Sequence, residues 1–256
     1  MRRRHARFRA PYPTMFSDLR AWYDASRLTG SEGDGIETWD NAEGTSTYDA
    51  SQSTANERPD LRLASVNSLN SIDFEGDGAD DYLEVDKSLF ESLSEITVFA
   101  VAGRLSTGTR AHMLSMSHGG DDERQFQFYI NTGASPVIVM GMGGTTSFTA
   151  VAASGGSGDF TPTNSNIFTG TAKNGEQVEL FVNGSEVSSY GIQNNAATML
   201  SSMGHNIAMG RENADGATVN ANMRMAELIV YGRKLTAAEL QGVWDYLSAK
   251  WGVALS

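Results

Sequence analysis

The segment "TAKNGEQVELFVNGSEV", residues 171–187, constrains the fold more than any other part of this chain. Asn174-Gly175 and Asn183-Gly184 each offer two residues that readily adopt positive φ, as a type I′ hairpin turn requires. The apolar residues beside these turns have the length and the chemistry of β-strands. The segment therefore predicts three consecutive antiparallel strands.

Other apolar runs have the same strand-like length, with glycines and polar residues between them. They are "ITVFAVA" (96–102), "FQFYI" (126–130), "VIVMGM" (137–142), "VELFV" (178–182) and "MAELIVY" (225–231). An all-β sandwich of 256 residues is an ordinary size for one domain. Residues 143–166 are rich in Gly, Ser and Thr, which leaves open a long surface loop or a weakly patterned strand between loops.

The pattern changes to helical spacing near the C-terminus. In "LTAAELQGVWDYLSAKWGV", Thr236 is followed three residues later by Glu239, which is a capping box. Apolar residues then recur on one helical face. These are Leu240, Val243, Trp244, Leu247 and Trp251. We expect one terminal amphipathic helix on the sandwich, with both tryptophans in the core rather than serving as sugar platforms.

The charge is unevenly distributed along the chain. The first ten residues contain no acid and five arginines, which are Arg2, Arg3, Arg4, Arg7 and Arg9. The remainder holds 14 basic and 31 acidic residues, which argues against general binding of nucleic acid by the body. The basic segment is either a solvated tail or an arm that docks on an acidic partner surface or on nucleic acid. No signal-peptide pattern and no membrane-spanning run follow it, and the absence of cysteine excludes disulfides.

The order of these elements resembles the laminin-G-like jelly-roll domain of the concanavalin A-like lectin/glucanase superfamily. The segments that carry the resemblance are "LRAWYDAS" (19–26), "ETWDN" (37–41), "NERPDLRL" (56–63), "SIDFEGDGADDYLEV" (71–85), "SEITVFAVAGRL" (94–105), "VELFVNGSEV" (178–187), "NIAMGRE" (206–212) and residues 225–253. The resemblance implies an all-β sandwich of two antiparallel sheets with one C-terminal amphipathic helix. We expect a basic arm at residues 1–18 and a single domain at residues 19–256.

Family members include carbohydrate-binding and adhesion proteins and structural proteins of tailed bacteriophages. We interpret the arginine arm, and the lack of a signal peptide, as favouring a non-enzymatic virion protein that decorates a capsid or a tail. The arm would dock on other virion proteins, the domain would adhere to glycans, and homo-oligomers are compatible with this role. The alternative is a secreted or cell-surface carbohydrate-binding or adhesion module, located outside the cell.

Glycan binding requires exposed aromatic rings among polar groups. Aromatic residues near turns or in loops are Trp39, Tyr48, Tyr82, Phe148, Phe160 and Tyr190. From these we select Tyr48, Phe148 and Phe160 as glycan-binding candidates. Trp22 and Trp39 match segments of the family pattern, so we expect them in the core.

The acidic stretch "DFEGDGADDYLE", residues 73–84, matches the ligand positions of a calcium loop. Its flanks look like strands rather than helices, which favours two strands joined by a turn at 76–80. A calcium ion held by Asp77, Asp80 and Asp81 is the alternative, because clustered carboxylates repel one another. No cofactor is required for the predicted role.

Catalytic patterns are weak in this sequence. The family's glycosidases carry Glu-x-Asp-x-Glu or Glu-x-Asp-x-x-Glu, whereas Glu84-Val85-Asp86 is followed by Ser88 and Leu89 in place of the second glutamate. Glu227 lies in an apolar strand, where a glutamate that is buried and paired with an arginine or a backbone amide is commoner than a catalytic one. We therefore expect no enzymatic activity.

Overall fold

The computed structural model describes residues 12–75, 81–106, 110–118, 123–131, 137–143, 148–154, 164–187, 197, 204–212 and 221–256. Of these, residues 117–118, 123–125 and 148–154 are described by their backbone alone. The strands are β1 (Leu19–Asp24), β2 (Thr38–Trp39), β3 (Ala50–Ser51), β4 (Asp60–Val66), β5 (Leu69–Phe74), β6 (Leu83–Val85), β7 (Glu95–Arg104), β8 (Ala111–His118), β9 (Glu123–Ile130), β10 (Val137–Gly143), β11 (Phe148–Ser154), β12 (Asn166–Lys173), β13 (Glu179–Val182), β14 (Ser185–Glu186), β15 (Ile207–Met209) and β16 (Met223–Tyr231).

One α-helix, α1 (Ala237–Trp251), follows the last strand. Short 3-10 turns occur at Pro13–Met15, Ala25–Arg27, Ser46–Tyr48, Ala55–Glu57 and Lys87–Leu89. In the described part of the chain, no helix is long and apolar enough to cross a membrane.

The strands form two antiparallel sheets. Sheet A has the order β14-β13-β12-β7-β16-β5-β4, and β1 also pairs with β16. This double pairing is achieved because β16 is long: its first half pairs with β5 and its second half with β1. Sheet B has the order β11-β10-β9-β8-β15-β6-β3-β2. The predicted two-sheet antiparallel sandwich with one C-terminal helix is confirmed.

The central strands of sheet A, β12, β7 and β16, are buried on both faces. Along β7, Val98 and Ala100 face the main core between the sheets, whereas Phe99 and Val101 face a second cluster under α1. We call this second cluster the helix layer. A strand buried on both faces needs apolar residues at every position, which explains the uninterrupted run "ITVFAVA". Trp39 lies in the main core, as the sequence predicted.

Helix α1 begins and ends where the sequence indicates. The Oγ1 of Thr236 accepts a hydrogen bond from the Glu239 N–H, and the Glu239 carboxylate accepts one from the Thr236 N–H. Gly252 ends the helix in a left-handed conformation with φ 69°. The five apolar residues predicted on one face are all buried, and Trp22, Trp244 and Trp251 lie in the helix layer.

The two Asn-Gly turns differ from each other. Asn183 and Gly184 have φ of 51° and 85°, so this turn has the predicted pair of positive φ angles. At the first turn only Gly175 has a positive φ, and five residues separate β12 from β13. The type I′ prediction at Asn174 is therefore wrong, because a longer connection does not need two left-handed residues. The three consecutive antiparallel strands, β12 to β14, are confirmed.

The acidic stretch also differs from the sequence expectation. Strand β5 belongs to sheet A and β6 to sheet B, so the two do not form a hairpin. Both edges of β5 are already taken, by β4 and by β16, which leaves no position for β6 beside it. Residues 143–166 contain β11, which pairs with β10, so the strand alternative holds there.

The boundary between the predicted arm and the domain stays a prediction. Residues 12–18 of that arm are described, and they contact the domain. The Tyr231 hydroxyl donates to the Pro13 carbonyl at 2.8 Å, and the rings of Tyr12 and Tyr246 lie 5.6 Å apart.

Candidate functional site

The outer face of sheet B carries polar side chains, in contrast to the helix-covered face of sheet A. A row of paired residues crosses this sheet from β3 to β9, and paired residues in a sheet share one face. The row consists of Ser51, Glu84, Ala208, Ser115 and Gln127. Their chain neighbours Leu83, Val85 and Phe126 point the other way, into the main core. The period of two in these strands thus separates an apolar inner face from a polar outer one.

A cavity of about 610 Å³ lies at the β6–β3–β2 end of this face, and we call it the groove. Six of its wall residues are serines or threonines: Thr38, Ser46, Thr47, Ser51, Ser53 and Thr54. Three carry carboxylates, Asp49, Glu84 and Asp86, and two carry amides, Gln52 and Asn206. Tyr82 supplies an aromatic ring. Such a mixture of short polar groups and one ring suits a ligand that is itself covered with hydroxyl groups.

The Tyr82 ring is held by a cation. The Arg211 guanidinium lies 3.2 Å from the ring centroid, and its Nη2 lies 3.3 Å from Glu84 Oε1. Arg211 comes directly after Gly210, whose φ of 92° turns the chain at the end of β15. The cation-π contact and the ion pair together hold the ring and the carboxylate at fixed positions in the groove wall.

Gln52 is a second fixed group in the wall. Its side chain is buried, and its Oε1 accepts a hydrogen bond from the Thr54 N–H at 2.9 Å. This contact sets the orientation of the amide, so Nε2 is the remaining donor. Among the described residues, Gln52 Nε2 has no hydrogen-bond partner although it is buried. A buried donor without a partner costs free energy, and an acceptor on a ligand would satisfy it.

The remaining wall carboxylates already accept hydrogen bonds from the protein. Asp49 Oδ1 accepts from the Asn41 N–H at 2.8 Å. Asp86 Oδ1 accepts from both the N–H and the hydroxyl of Ser88, and these bonds lower the pKa of Asp86. Asp86 therefore stays ionised at neutral pH.

A buried group of side chains, which we call the inner polar cluster, continues the outer face across β8 and β9. Glu212 follows Arg211 in the chain and accepts from Gln127 Nε2 at 2.8 Å, with Arg110 Nη1 at 3.5 Å. The His112 ring stacks on Tyr129 at 4.8 Å and is fully buried. Burial, and secondly the nearby Arg110 charge, lowers the pKa of His112 to about 3. Neither nitrogen of His112 has a hydrogen-bond partner among the described residues.

The candidates selected from the sequence lie mostly elsewhere. Tyr48 is half-buried against the main core, although its neighbours Thr47 and Asp49 line the groove. Phe148 begins β11, and its side chain lies outside the described part of the structure. Phe160 and the arm residues Arg2, Arg3, Arg4, Arg7 and Arg9 also lie outside the described residues.

The metal candidates are only partly described. Asp77 and Asp80 fall outside the described residues, and Asp81 is buried with its Oδ2 accepting from the Glu75 N–H at 3.0 Å. Within the described ranges, no group of three or more His, Asp or Glu side chains is arranged to hold a metal ion.

Sequence reasoning did not select Tyr82 from its aromatic candidates, and it missed Gln127 and His112. The signal for Gln127 was present in "FQFYI", where polar positions alternate with core positions in an apolar strand. No local signal brings residues 46–54, 82–86 and 206 together, because they meet only through sheet pairing.

Glu227 lies far from the groove, beneath α1. It accepts hydrogen bonds from Trp22 Nε1 at 2.6 Å, Tyr246 OH at 2.9 Å and Lys250 Nζ at 2.8 Å, and from Trp251 Nε1. Burial raises the pKa of Glu227, and the Lys250 charge opposes that shift. The buried and paired role predicted from the sequence holds, with lysine and aromatic donors in place of arginine or a backbone amide.

Comparison with known proteins extends this picture. A laminin G family model, described as the concanavalin A-like lectin/glucanases superfamily, matches residues 77–241. A search of curated protein sequences found no match.

Solved structures share the fold at low sequence identity. Trypanosoma rangeli sialidase in complex with 2,3-difluoro-KDN has a TM-score of 0.61 and 15% identity, over 92% of this chain and 33% of that chain. A mutant T. rangeli sialidase displaying trans-sialidase activity has a TM-score of 0.62 and 13% identity, over 93% and 34%. The CBM40 of Ruminococcus gnavus IT-sialidase, bound to α2,3 sialyllactose, has a TM-score of 0.50 and 19% identity, over 68% and 92%. The chain spans about a third of the trypanosomal sialidases, and these likenesses show the fold alone.

These comparisons correct the main functional prediction, a bacteriophage virion protein attached through its arm to capsid or tail proteins. These similar structures come from sialidases and from a sialidase carbohydrate-binding module, and they give no support to the virion role. A basic N-terminal segment does not by itself specify a particle, and a fold shared by lectins and virion proteins cannot choose between them. The virion role is withdrawn.

Proposed function

Because the chain belongs to the concanavalin A-like lectin/glucanase superfamily, with a laminin-G-type domain, we propose that it is a carbohydrate-binding or adhesion module. The family resemblance found in the sequence is thereby confirmed. The observation that carries the proposal is the groove, where hydroxyl, amide and carboxylate groups surround the Tyr82 ring at the outer face of sheet B.

The groove offers the contacts that sugars use. Carboxylates accept hydrogen bonds from sugar hydroxyls, the Gln52 amide donates one, and the Tyr82 ring offers an apolar edge or face. The fold likeness to a CBM40 bound to sialyllactose is consistent with glycan binding by this architecture. We propose an extracellular or cell-surface location for such a module.

Binding without hydrolysis is the activity we propose. A glycosidase needs one carboxyl group with a raised pKa to protonate the leaving group. In the groove, Asp86 has a lowered pKa and Glu84 is paired with Arg211. Glu227, whose pKa burial raises, is enclosed between α1 and sheet A, where a glycan cannot reach it. The catalytic activity named for the trypanosomal proteins is not assigned to this chain, which spans a third of their length.

A glycan array probed with the full chain tests this proposal. We expect specific binding that Tyr82→Ala and Glu84→Gln each weaken by at least about tenfold, because each removes a wall contact of about 1.4 kcal/mol or more. Glu186→Gln is the matched control, since Glu186 is an exposed carboxylate on β14 at the far edge of sheet A. No signal above a denatured control, or binding that Tyr82→Ala leaves unchanged, would contradict the proposed site.

A further inference from the structure

The groove has an excess of negative charge. Its wall contains three carboxylates, Asp49, Glu84 and Asp86, and the described wall residues include no lysine or arginine. Arg211 neutralises one of these charges through its contact with Glu84. The groove therefore presents about two uncompensated negative charges to a ligand.

Two other cations flank the groove, and each is paired with a carboxylate outside it. Arg58 pairs with Glu37 at 2.9 Å and also donates to two backbone carbonyls of the groove wall. Lys87 lies 3.6 Å from Glu91, and its charge also contributes to the lowered pKa of Asp86. Because each of these cations is accompanied by its own carboxylate, they leave the net excess of negative charge at the groove unchanged.

The buried amide of Gln52 indicates which group the ligand must offer. Gln52 lines the groove, its side chain is 5% exposed, and its Nε2 is a buried donor without a partner among the described residues. The bound group must therefore accept a hydrogen bond from Gln52 and donate hydrogen bonds to the carboxylates. A neutral sugar hydroxyl does both, whereas a carboxylate or sulfate only accepts.

We propose that the groove selects sugar units that carry no carboxylate or sulfate, and that a protonated amine on the sugar strengthens binding. This inference rests on the proposed function and adds the ligand class to it. It departs from the sialylated ligand of the CBM40 of similar fold. A unit charge about 6 Å from a like charge in a water-like medium changes affinity about threefold, and two such charges change it about tenfold.

The experiment compares matched glycans on the full chain at pH 6, where glucosamine amines are protonated. One pair is lactose and α2,3-sialyllactose, and the other is chitin and chitosan oligomers. The same pairs are included in the glycan array, together with sialylated and unsialylated forms of every glycan that binds. We expect the unsialylated member to bind about tenfold tighter at low salt, and chitosan to bind tighter than chitin. Both preferences should shrink at about 0.3 M salt, where charges are screened within a few ångströms.

Charge-removing variants assign the effect to the groove. The double variant Asp49→Asn with Asp86→Asn should bind sialylated and unsialylated glycans equally, while Glu186→Gln keeps the preference. Asparagine still accepts the Ser88 hydrogen bonds, so the turn at Lys87–Leu89 is retained. If the double variant does not fold, Asp86→Asn alone should reduce the preference for unsialylated over sialylated glycans by about threefold.

The outcomes separate the two proposals. If no glycan binds, the proposed function fails, and the charge selection fails with it. If glycans bind but the sialylated forms bind as well as or better than their partners, the charge selection is overturned and the binding function stands. The charge selection is also overturned if chitosan binds no tighter than chitin at low salt. The same holds if the charge-removing variants keep the preference for unsialylated glycans.

Discussion

His112 is a neutral imidazole held in a buried position on the outer face of sheet B. Burial lowers its pKa from 6.5 to about 3, because the charged ring would lose its hydration and lie beside Arg110. The unfolded chain takes up a proton near pH 6.5, whereas the folded chain does not until about pH 3. The stability linked to His112 is thus fully present above pH 6.5 and is lost as the pH falls toward 3.

Replacing His112 should remove this pH dependence. Below about pH 6, the unfolding free energy of the wild-type protein should fall with decreasing pH more steeply than that of His112→Phe. We expect the two slopes to differ by about 1.4 kcal/mol per pH unit. Phenylalanine keeps the ring stacking on Tyr129 and carries no titratable group. Urea unfolding at several pH values between about 7 and 4 measures the difference.

The exposed His205 supplies the control for this measurement. His205→Gln removes an exposed imidazole, and such a surface substitution should leave the unfolding free energy close to that of the wild type at each pH. Equal slopes for wild type and His112→Phe would show that the buried ring takes up a proton in the folded protein.

At the scale of elements, the end of β15 determines the position of Arg211, the cation that contacts Tyr82 and Glu84. Gly210 follows β15 with a φ of 92°, and a Cβ there would meet the Phe74 ring and lie 2.7 Å from the Asp81 carbonyl oxygen. Gly210→Ala combines left-handed strain with a steric clash, so we expect a loss of about 2 to 5 kcal/mol in unfolding free energy. We also expect weaker glycan binding, because Arg211 would shift. Denaturant unfolding and the glycan titration measure the two effects.

The matched variant Gly33→Ala measures the free-energy cost of backbone strain without a steric clash. Gly33 has a φ of 80° and open space around it, so alanine there brings strain without a clash. We expect a loss of only about 1 to 2 kcal/mol and unchanged glycan binding. Equal losses of unfolding free energy in Gly33→Ala and Gly210→Ala would mean that the side chains at the end of β15 rearrange to accommodate the added methyl group.

At the scale of the whole molecule, the main core and the helix layer share the central strands of sheet A. Because alternate residues of β7, such as Val98 and Phe99, enter different layers, neither layer can lose its structure without the other. Leu247→Ala in the helix layer should destabilise the entire protein by about 2 to 5 kcal/mol. Gln241→Ala on the exposed face of α1 should cost less than about 0.5 kcal/mol.

The same arrangement predicts a single unfolding transition. Three of the four tryptophans, Trp22, Trp244 and Trp251, report on the helix layer, and Trp39 reports on the main core. Far-UV circular dichroism reports on both sheets. The two signals should change at the same denaturant concentration in Leu247→Ala. Tryptophan fluorescence that changes first would show that α1 detaches as an independent unit.

Much of the fold was predictable because its signals are local. The capping box of Thr236 and Glu239, the apolar stripe of α1 and the turn at Asn183-Gly184 depend on residues within a few positions of one another. The apolar run "ITVFAVA" indicated a strand by its length and its residue types, and β7 contains it. The candidate site was less predictable, since Tyr48 packs against the core while Tyr82 faces the groove.

The sequence by itself therefore determined several strands of each sheet, the terminal helix and the family, because periods of two and 3.6 and turn chemistry depend on neighbouring residues. Only the tertiary structure decided which strands share a sheet, as the placement of β5 and β6 in opposite sheets shows. It also decided that residues 46–54, 82–86 and 206 surround one groove. Strand pairing joins Ser51 to Glu84, 33 residues apart, and Glu84 to Ala208, 124 residues apart, and no local pattern encodes a partner at such distances.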